Sequence, residues 1–263
     1  AAAQEVGRTD SESAGDLAEA AAKGALMGAR GNSGVILSQL FRGFAQVMQG
    51  KHTATVHDLA KGLQEASAMA YKAVMKPVEG TMLTVSRMAA EAGKPLAKRE
   101  PDVTLWFGQV LKAAEKALAD TERMLPALAQ ARVVDAGGQG IVTIFAGMYK
   151  ALVQMDGGEV VDIPTVTPQT VSETAITEAT PLVDIEFRYC TELIILGEID
   201  HERLKQELGP LGDSLLVVGD SNATKIHVHT NHPGQVLEIC GVYGDMSAID
   251  IDNMAEQNQQ AGL

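Results

Sequence analysis

GALMGARGNSGVILSQLFRGF, residues 24–44, is the stretch that decides the fold of this chain. Its second half carries apolar residues at three- and four-residue steps, which is typical of a helix with one buried face. The turn before that helix, Arg-Gly-Asn-Ser-Gly, has glycines on both sides of Asn32 and Ser33, and either of these two residues is predicted to cap the helix. A helix start with free N–H groups and bare glycine backbone favours an anion, and phosphate is the candidate.

Two later stretches repeat this arrangement. KPVEGTMLTVSR (residues 76–87) and VVDAGGQGIVTIFAGM (residues 133–148) each place small residues immediately before a helix-like apolar run. For the first stretch alone, a plain helix-turn-helix in which the glycines only permit the turn is the alternative. Three such turns in one helical segment are more than packing requires. None has the Walker A spacing, and no strand precedes the first turn as a dinucleotide fingerprint needs.

Composition limits the class of protein. The chain has 263 residues, 46% of them hydrophobic, which is enough for one large or two ordinary domains. Its net charge of −13 disfavours a nucleic-acid role that depends on a basic surface. No apolar run approaches the roughly 20 residues of a membrane span. We expect a cytoplasmic protein, because its two cysteines do not make a disulfide framework.

The chain divides into three parts by pattern. Helical periodicity without any strand signal predicts an all-α domain, a helix bundle or barrel, over residues 1–155. Proline, threonine and acidic residues dominate 156–182, which predicts a linker, with an extended arm packed on the surface as the alternative. Residues 183–257 follow the order strand-helix-strand-strand-helix-strand, which predicts a smaller α/β domain.

The second domain carries a candidate metal site. His227 and His229 are two residues apart in a predicted strand, so both rings lie on one face, and Cys190 lies in another strand of the same domain. Thiolate and imidazole are preferred ligands of zinc. Two half-buried strand histidines and a core cysteine fit the same pattern, and both interpretations stay open. A fourth ligand could be water, with Glu192 and His232 as weaker candidates.

Together these stretches resemble the dihydroxyacetone-kinase L-subunit family, and more closely the ATP-binding subunit of bacterial fatty acid kinases, which are DAK2-domain proteins. YCTE (residues 189–192) and KIHVHTNHPGQVLE (residues 225–238) extend the resemblance into the second domain, where they are similar to the middle domain of that subunit. The resemblance covers most of the chain. It implies a helical nucleotide-binding domain followed by a middle domain, with ATP, Mg²⁺ and Zn²⁺ as cofactors.

The resemblance also implies which residues bind. At the first turn the phosphate contacts would be Asn32, Ser33 and Gly34. The second turn would line the nucleotide site with Thr81 and Met82, and the third would lie near ribose and base with Asp135, Gly137 and Gly138. The zinc ligands of the family match Cys190, His227 and His229. Arg30 is a further phosphate candidate, although an arginine beside a turn is more often solvated.

One departure from the family concerns the magnesium ligands. Family members carry Asp-Gly-Asp-Thr-Gly-Thr-Asn-Met before the position where this chain begins, and this motif occurs nowhere in the sequence. Glu12 and Asp16 lie on a loop and at a helix start, and we do not assign them as magnesium ligands. We expect a chain truncated at both ends relative to the family, which binds nucleotide weakly and transfers phosphate poorly or not at all. No residue is assigned as a catalytic acid or base.

The leading hypothesis is ATP-dependent phosphorylation of a fatty acid carboxylate held by a separate fatty-acid-binding carrier protein. The product is an acyl phosphate that feeds phospholipid synthesis, and we expect a homodimer. A carboxylate is already ionised at neutral pH and therefore needs no general base. Two alternatives are a kinase of the dihydroxyacetone type, acting on a small polyol, and a non-enzymatic module that dimerises and senses nucleotide or metal.

Overall fold

The structure, a computed structural model, describes residues 1–158 and 185–256, and eight helices occupy the first of these ranges. Their bounds are α1 (Ala2–Arg8), α2 (Ala14–Met27), α3 (Gly31–Met48), α4 (Val56–Ala73), α5 (Met82–Leu96), α6 (Val103–Met124), α7 (Pro126–Ala131) and α8 (Ala136–Met155). The all-α prediction for this part is confirmed.

Most of these helices begin at a side chain that caps them. Thr55 and Asp58 form a capping box at the start of α4, in which each side chain accepts from the other residue's backbone N–H. Thr81 accepts from Leu83 N at the start of α5, and Asp135 accepts from Gly138 N at the start of α8. These short polar side chains satisfy N–H groups that have no partner within the helix.

The prediction for the cap of α3 was wrong. The helix begins at Gly31, so Asn32 and Ser33 lie inside its first turn, and Arg30 occupies the N-cap position without a side-chain cap. Gly31 has φ +63°, a left-handed backbone that glycine adopts readily. Its N–H instead donates to the carboxylate of Glu192, which lies 161 residues later in the chain.

The helical core is built around α6. Trp106 is almost completely buried there, and its indole N–H donates to the carbonyl oxygen of Gly93 on α5 at 2.9 Å. Leu118 and Val110 on α6 pack with residues of α4, α5 and α8 in the same cluster. None of the described helices combines the length and apolar character that crossing a bilayer requires.

The second described range holds a four-stranded antiparallel sheet, two α-helices and a short 3₁₀ helix (Gly209–Leu211), which confirms the predicted smaller α/β part. The elements are β1 (Tyr189–Leu196), α9 (His201–Leu208), β2 (Gly212–Gly219), β3 (Ala223–Thr230), α10 (Pro233–Tyr243) and β4 (Met246–Asn253). The strand order across the sheet is β2-β3-β1-β4. The predicted linker, residues 156–182, falls mainly outside the described residues, and the domain boundaries stay a prediction.

The two faces of this sheet differ in chemistry. One face is apolar and packs on α9 and α10 through residues such as Leu193, Ile226 and Val236, with Cys240 buried in the same core. The opposite face carries polar residues on alternate positions of three neighbouring strands. They are Cys190 and Glu192 on β1, Lys225, His227 and His229 on β3, and Asp250 and Asp252 on β4.

The polar face of the sheet lies against the helical part at the start of α3. An apolar cluster joins Leu216 and Val218 of β2 to Leu26 and Val35, which flank the Arg-Gly-Asn-Ser-Gly turn. Leu216 and Val218 reach this face because a bulge between Asp213 and Leu216 shifts the register of β2 against β3. The packing therefore places the sheet beside the turn that the sequence marks as a phosphate site.

Candidate functional site

Two cavities flank the first turn of α3. The larger one, which we call the turn cavity, has a volume of about 550 Å³ and is lined by the starts of α3, α5 and α8. The smaller one, the sheet-face cavity, has a volume of about 240 Å³ and lies between the same turn and the polar face of the sheet. Asn32 lines both cavities.

The turn cavity gathers six of the eight residues proposed to bind nucleotide. Its lining includes Asn32, Ser33, Thr81, Met82, Asp135 and Gly137. Gly34 and Gly138 are not part of the lining. A β-carbon on Gly34 would lie 3.3 Å from backbone atoms of Ala29, and one on Gly138 would lie 2.9 Å from the side chain of Val85. These two glycines thus permit close packing behind the cavity.

The sheet domain supplies the opposite wall of the turn cavity. This wall runs from Gly212 to Leu216 and includes Asp213 and Ser214. Sequence reasoning placed no residue of the second domain at the nucleotide site. No local pattern in residues 212–216 indicates such a role, because it depends on how β2 packs on the helices.

A polar network holds the turn before α5. Gly80 has φ +85°, and its N–H donates to the hydroxyl of Thr84 at 2.8 Å. That hydroxyl donates to Glu79 at 2.6 Å, and Glu79 also accepts from Arg87 at 2.9 Å and from Tyr71 at 2.8 Å. The hydrogen bond from Thr84 lowers the pKa of Glu79, with those from Tyr71 and Arg87 adding to it. The network fixes the backbone that presents Thr81 and Met82.

Asp135 makes its hydrogen bonds at the start of α8 and with Thr121. Its Oδ2 accepts from Gly138 N at 2.6 Å, and its own N–H donates to the buried hydroxyl of Thr121 at 3.0 Å. Its carboxylate therefore orders the start of α8 at the edge of the turn cavity.

The three proposed metal ligands lie together on the polar face. Cys190 is paired across the sheet with His229, and His227 is the next residue of β3 on that face. One ligand atom from each lies within 4.8 Å of the others, and the Cys190 Sγ to His227 Nδ1 distance is 3.7 Å. The imidazole of His227 is 1% exposed, and its Nε2 is buried without a hydrogen-bond partner among the described residues.

The neighbouring carboxylates favour a cation at this group, while the Cys190 thiol must lose its proton to bind one. Burial raises the pKa of the Cys190 thiol to about 11, and the carboxylates of Glu192 and Asp252 add to the shift. Burial also lowers the pKa of His229, with the neighbouring His227 adding to the effect, so its imidazole is neutral at pH 7. Neutral imidazole is the form that binds metal, and a bound cation would displace the thiol proton. A soft thiolate with two imidazoles suits Zn²⁺.

The described residues offer no comparable group of ligands for magnesium. Within residues 1–158 and 185–256, Cys190, His227 and His229 are the one group of three or more potential ligands close enough to share an ion. The acids that line the turn cavity are Asp135 and Asp213, and they do not form such a group. The described residues therefore do not fit the magnesium cluster that the resemblance implies.

The sequence offered Glu192 only as a weaker candidate for a fourth metal ligand, and its contact with the α3 turn was not predicted. Its side chain is 6% exposed and accepts from His227 Nδ1 at 2.8 Å, from Lys225 Nζ at 3.0 Å and from Gly31 N at 2.5 Å. Burial alone raises the pKa of this carboxyl, but the bonds from His227 and Lys225 outweigh burial and lower it to about 2. Strand alternation places Glu192 on the face of Cys190, which was the available signal.

Arg30 is held by the sheet. Its guanidinium forms an ion pair with Asp250 on β4, and this contact raises the pKa of the arginine. The side chain is 79% exposed, so the pair adds little stability. Of the groups on the first turn, the Arg30 guanidinium and the Gly31 N–H both face carboxylates of the sheet.

Comparison with known proteins matches both parts of the chain. The family profile described as DAK2 domain matches residues 1–150, and the profile of the fatty acid kinase FakA-like middle domain matches residues 186–261. Protein YloV of Bacillus subtilis is 42% identical over 267 residues, covering 97% of this chain and 48% of that protein. "Uncharacterized protein SSP1546" of Staphylococcus saprophyticus is 38% identical over 261 residues, covering 95% and 46%. The chain spans about half the length of these curated relatives.

Proposed function

This chain belongs to the DAK2-domain family and carries a FakA-like middle domain of the fatty acid kinase type, and from that premise we propose that it binds ATP for phosphoryl transfer to a fatty acid carboxylate. The acceptor is presented by a separate fatty-acid-binding protein, and the product is an acyl phosphate. The chain functions as a homodimer in the cytoplasm. These finer statements rest on the resemblance, since the chain spans about half of its curated relatives.

The observation that supports nucleotide binding is the convergence of three helix starts on the turn cavity. Its volume of about 550 Å³ lies in the range of small-molecule sites, roughly 300–1,000 Å³. Asn32 and Ser33 bring the first-turn N–H groups of α3, which favour phosphate together with the helix dipole. Val74, Met75 and Val78 add apolar surface that suits an adenine ring.

The described residues that line the turn cavity position the nucleotide, and we assign a proton transfer to none of them. The α3 turn holds the phosphates, while the network behind Gly80 keeps the Thr81 turn in place. A carboxylate acceptor is ionised at neutral pH, so attack on the terminal phosphate requires no base. Zinc held by Cys190, His227 and His229 would supply positive charge beside the same turn. We assign no step to magnesium, because the described residues do not hold it.

Calorimetric titration with Mg²⁺-ATP tests the nucleotide site. Gly137 lines the turn cavity, and a β-carbon there would lie 3.2 Å from the Met82 side chain. Gly140, one turn further along α8, has open space around it. Valine at either position has the same helix propensity, so Gly140→Val is a matched control for Gly137→Val. We expect Gly137→Val to weaken ATP binding at least about tenfold, the equivalent of about 1.4 kcal/mol, and Gly140→Val to leave it unchanged.

The outcomes separate the hypotheses. Equal ATP affinities in the two variants would mean that ATP does not occupy the turn cavity. Absence of ATP binding by the parent chain would refute the kinase proposal and favour the metal-sensing module. The acceptor is identified in a transfer assay containing hydroxylamine, which traps acyl phosphates as hydroxamates. The chain is expected to transfer phosphate poorly, so any residual hydroxamate should form with a fatty acid on its carrier protein. Transfer to dihydroxyacetone gives a phosphate ester and no hydroxamate, so it is followed as ADP release, which should be absent.

A further inference from the structure

Glu192 lies between the metal group and the α3 turn and contacts both. One oxygen, Oε1, accepts from His227 Nδ1 and from Gly31 N, and the other, Oε2, accepts from Lys225 Nζ. His227 and Lys225 are 1% and 5% exposed, so the carboxylate is enclosed by fixed donors. A buried charge held in this way has one geometry, and a change at one donor is transmitted to the others.

A cation at the metal group changes the bond between His227 and Glu192 whichever ring nitrogen it meets. With the proton on Nδ1, the lone pair lies on Nε2, the buried atom that has no hydrogen-bond partner among the described residues. A cation at Nε2 makes Nδ1–H a stronger donor to the carboxylate. A cation at Nδ1, which lies 3.7 Å from the Cys190 sulfur, requires the tautomer with the proton on Nε2, and this releases Glu192 Oε1.

A change in how strongly Glu192 accepts hydrogen bonds acts directly on Gly31, because Gly31 N donates to the same carboxylate. Its N–H is the first of α3, and the carboxylate of Glu192 is the negative group at that helix start. The next residue, Asn32, lines both the turn cavity and the sheet-face cavity. Stronger or weaker acceptance by Glu192 therefore changes both the charge and the position of the turn proposed to hold phosphate.

We propose that Glu192 is a positioning residue that couples the Cys190, His227 and His229 metal group to the α3 turn. Zinc binding is sensed at the Gly31 N–H and changes nucleotide affinity. By linkage, nucleotide changes zinc affinity by the same factor. The nucleotide half of this inference rests on the proposed function, while the zinc half rests on the contacts of Glu192 alone.

The test follows the backbone amide of Gly31 by ¹H–¹⁵N NMR while zinc is added to the metal-free chain. Glu192→Gln removes the charge but leaves the buried Lys225 unpaired, which is strongly destabilising. The double variant Glu192→Leu with Lys225→Met removes both charges, and leucine, unlike glutamine, has no oxygen that could accept from Gly31 and His227. Asp250→Asn is the control, since it removes the partner of Arg30 on the same face and leaves Glu192 untouched.

In the parent chain and in Asp250→Asn, the Gly31 resonance should shift until one equivalent of zinc is bound. In the double variant, zinc should still bind through Cys190, His227 and His229, and the Gly31 resonance should no longer follow it. Stoichiometric zinc binding without any Gly31 response in the parent would overturn the coupling. A response that persists in the double variant would overturn the role of Glu192. Failure to bind zinc would overturn the metal assignment as well.

Nucleotide linkage is measured separately, as zinc affinity with and without Mg²⁺-ATP, using a chromophoric chelator as competitor. We expect a change of about 5- to 150-fold in the parent, the usual range of coupling between sites, and less than about twofold in the double variant. ATP binding with zinc affinity unchanged would overturn the nucleotide half of the inference. A chain that does not bind ATP would overturn that half together with the proposed function, whereas a zinc-dependent Gly31 shift would stand.

Discussion

Replacement of Gly80 by alanine tests how tightly the turn before α5 is built. Gly80 has φ +85°, and a β-carbon there would lie 2.7 Å from Cβ of Met124 and 3.0 Å from Cγ of Leu125. The left-handed backbone costs a non-glycine residue roughly 1–2 kcal/mol, and overpacking costs typically about 1–3 kcal/mol more. We expect Gly80→Ala to lower the free energy of unfolding by about 2–5 kcal/mol from these two terms.

Gly50→Ala is the matched control for this change. Gly50 also has a left-handed backbone, with φ +73°, but no atom lies within 4 Å of the position that a β-carbon would take there. Gly50→Ala should lower the free energy of unfolding only by the cost of the left-handed backbone, roughly 1–2 kcal/mol. Urea unfolding followed by tryptophan fluorescence measures both, because Trp106 is the only tryptophan and is buried in the helical core. Only Gly80→Ala should also weaken ATP binding, since it moves Thr81 and Met82 at the turn cavity.

Equal losses of stability in the two variants would refute the argument, because the clash would then contribute nothing. A Gly80→Ala chain with parental stability would show that neither the left-handed backbone nor the contact with Met124 holds in solution. Unchanged ATP affinity in a folded but destabilised Gly80→Ala chain would separate the turn from the nucleotide site.

Three further predictions concern packing, acid stability and metal. Gly43→Ala should lower the free energy of unfolding by about 1–3 kcal/mol, because its β-carbon would lie 2.5 Å from the backbone of α4. Gly147→Ala lies in open space on α8 and should raise the free energy of unfolding by about 0.5–1 kcal/mol. Urea unfolding midpoints compare the two variants. Hydrogen bonds from the backbone and side chain of Thr55 lower the pKa of Asp58 to about 2, so the stability it adds is present above about pH 4 and lost as pH falls towards 2. The stability deficit of Asp58→Asn against the parent should therefore shrink between about pH 4 and pH 2 in urea titrations. Elemental analysis of protein purified without added metal should find one zinc per chain, and His227→Ala should lose most of it; absent zinc, or zinc retained in the variant, would contradict the assignment.

Much of the fold follows from patterns that span only a few residues. Thr55 and Asp58 are three positions apart, so their capping box can be recognised in the sequence, and the start of α4 with it. His227 and His229 are two apart in a strand, which places both rings on one face before any tertiary contact is known. The helical first part, the strand and helix order of the second part and the family are all confirmed. The roles of the proposed nucleotide and metal residues stay predictions.

The α3 turn shows what local patterns do not contain. The sequence placed a cap at Asn32 or Ser33, because a short polar residue near a helix start is usually its cap. The structure begins the helix at Gly31 and satisfies its N–H with Glu192. Nothing within four residues of Gly31 indicates a carboxylate 161 positions away.

The sequence by itself therefore determined the elements, their order and which side chains share a face, because these depend on backbone periodicities of two and 3.6 residues. Tertiary structure alone decided that the polar face of the sheet lies against the α3 turn. That choice depends on the packing of Leu216 and Val218 against Leu26 and Val35, and on a bulge that turns these two β2 residues towards the helices. Burial of this apolar surface brings Glu192 to Gly31, and so joins the metal group and the turn cavity at one place.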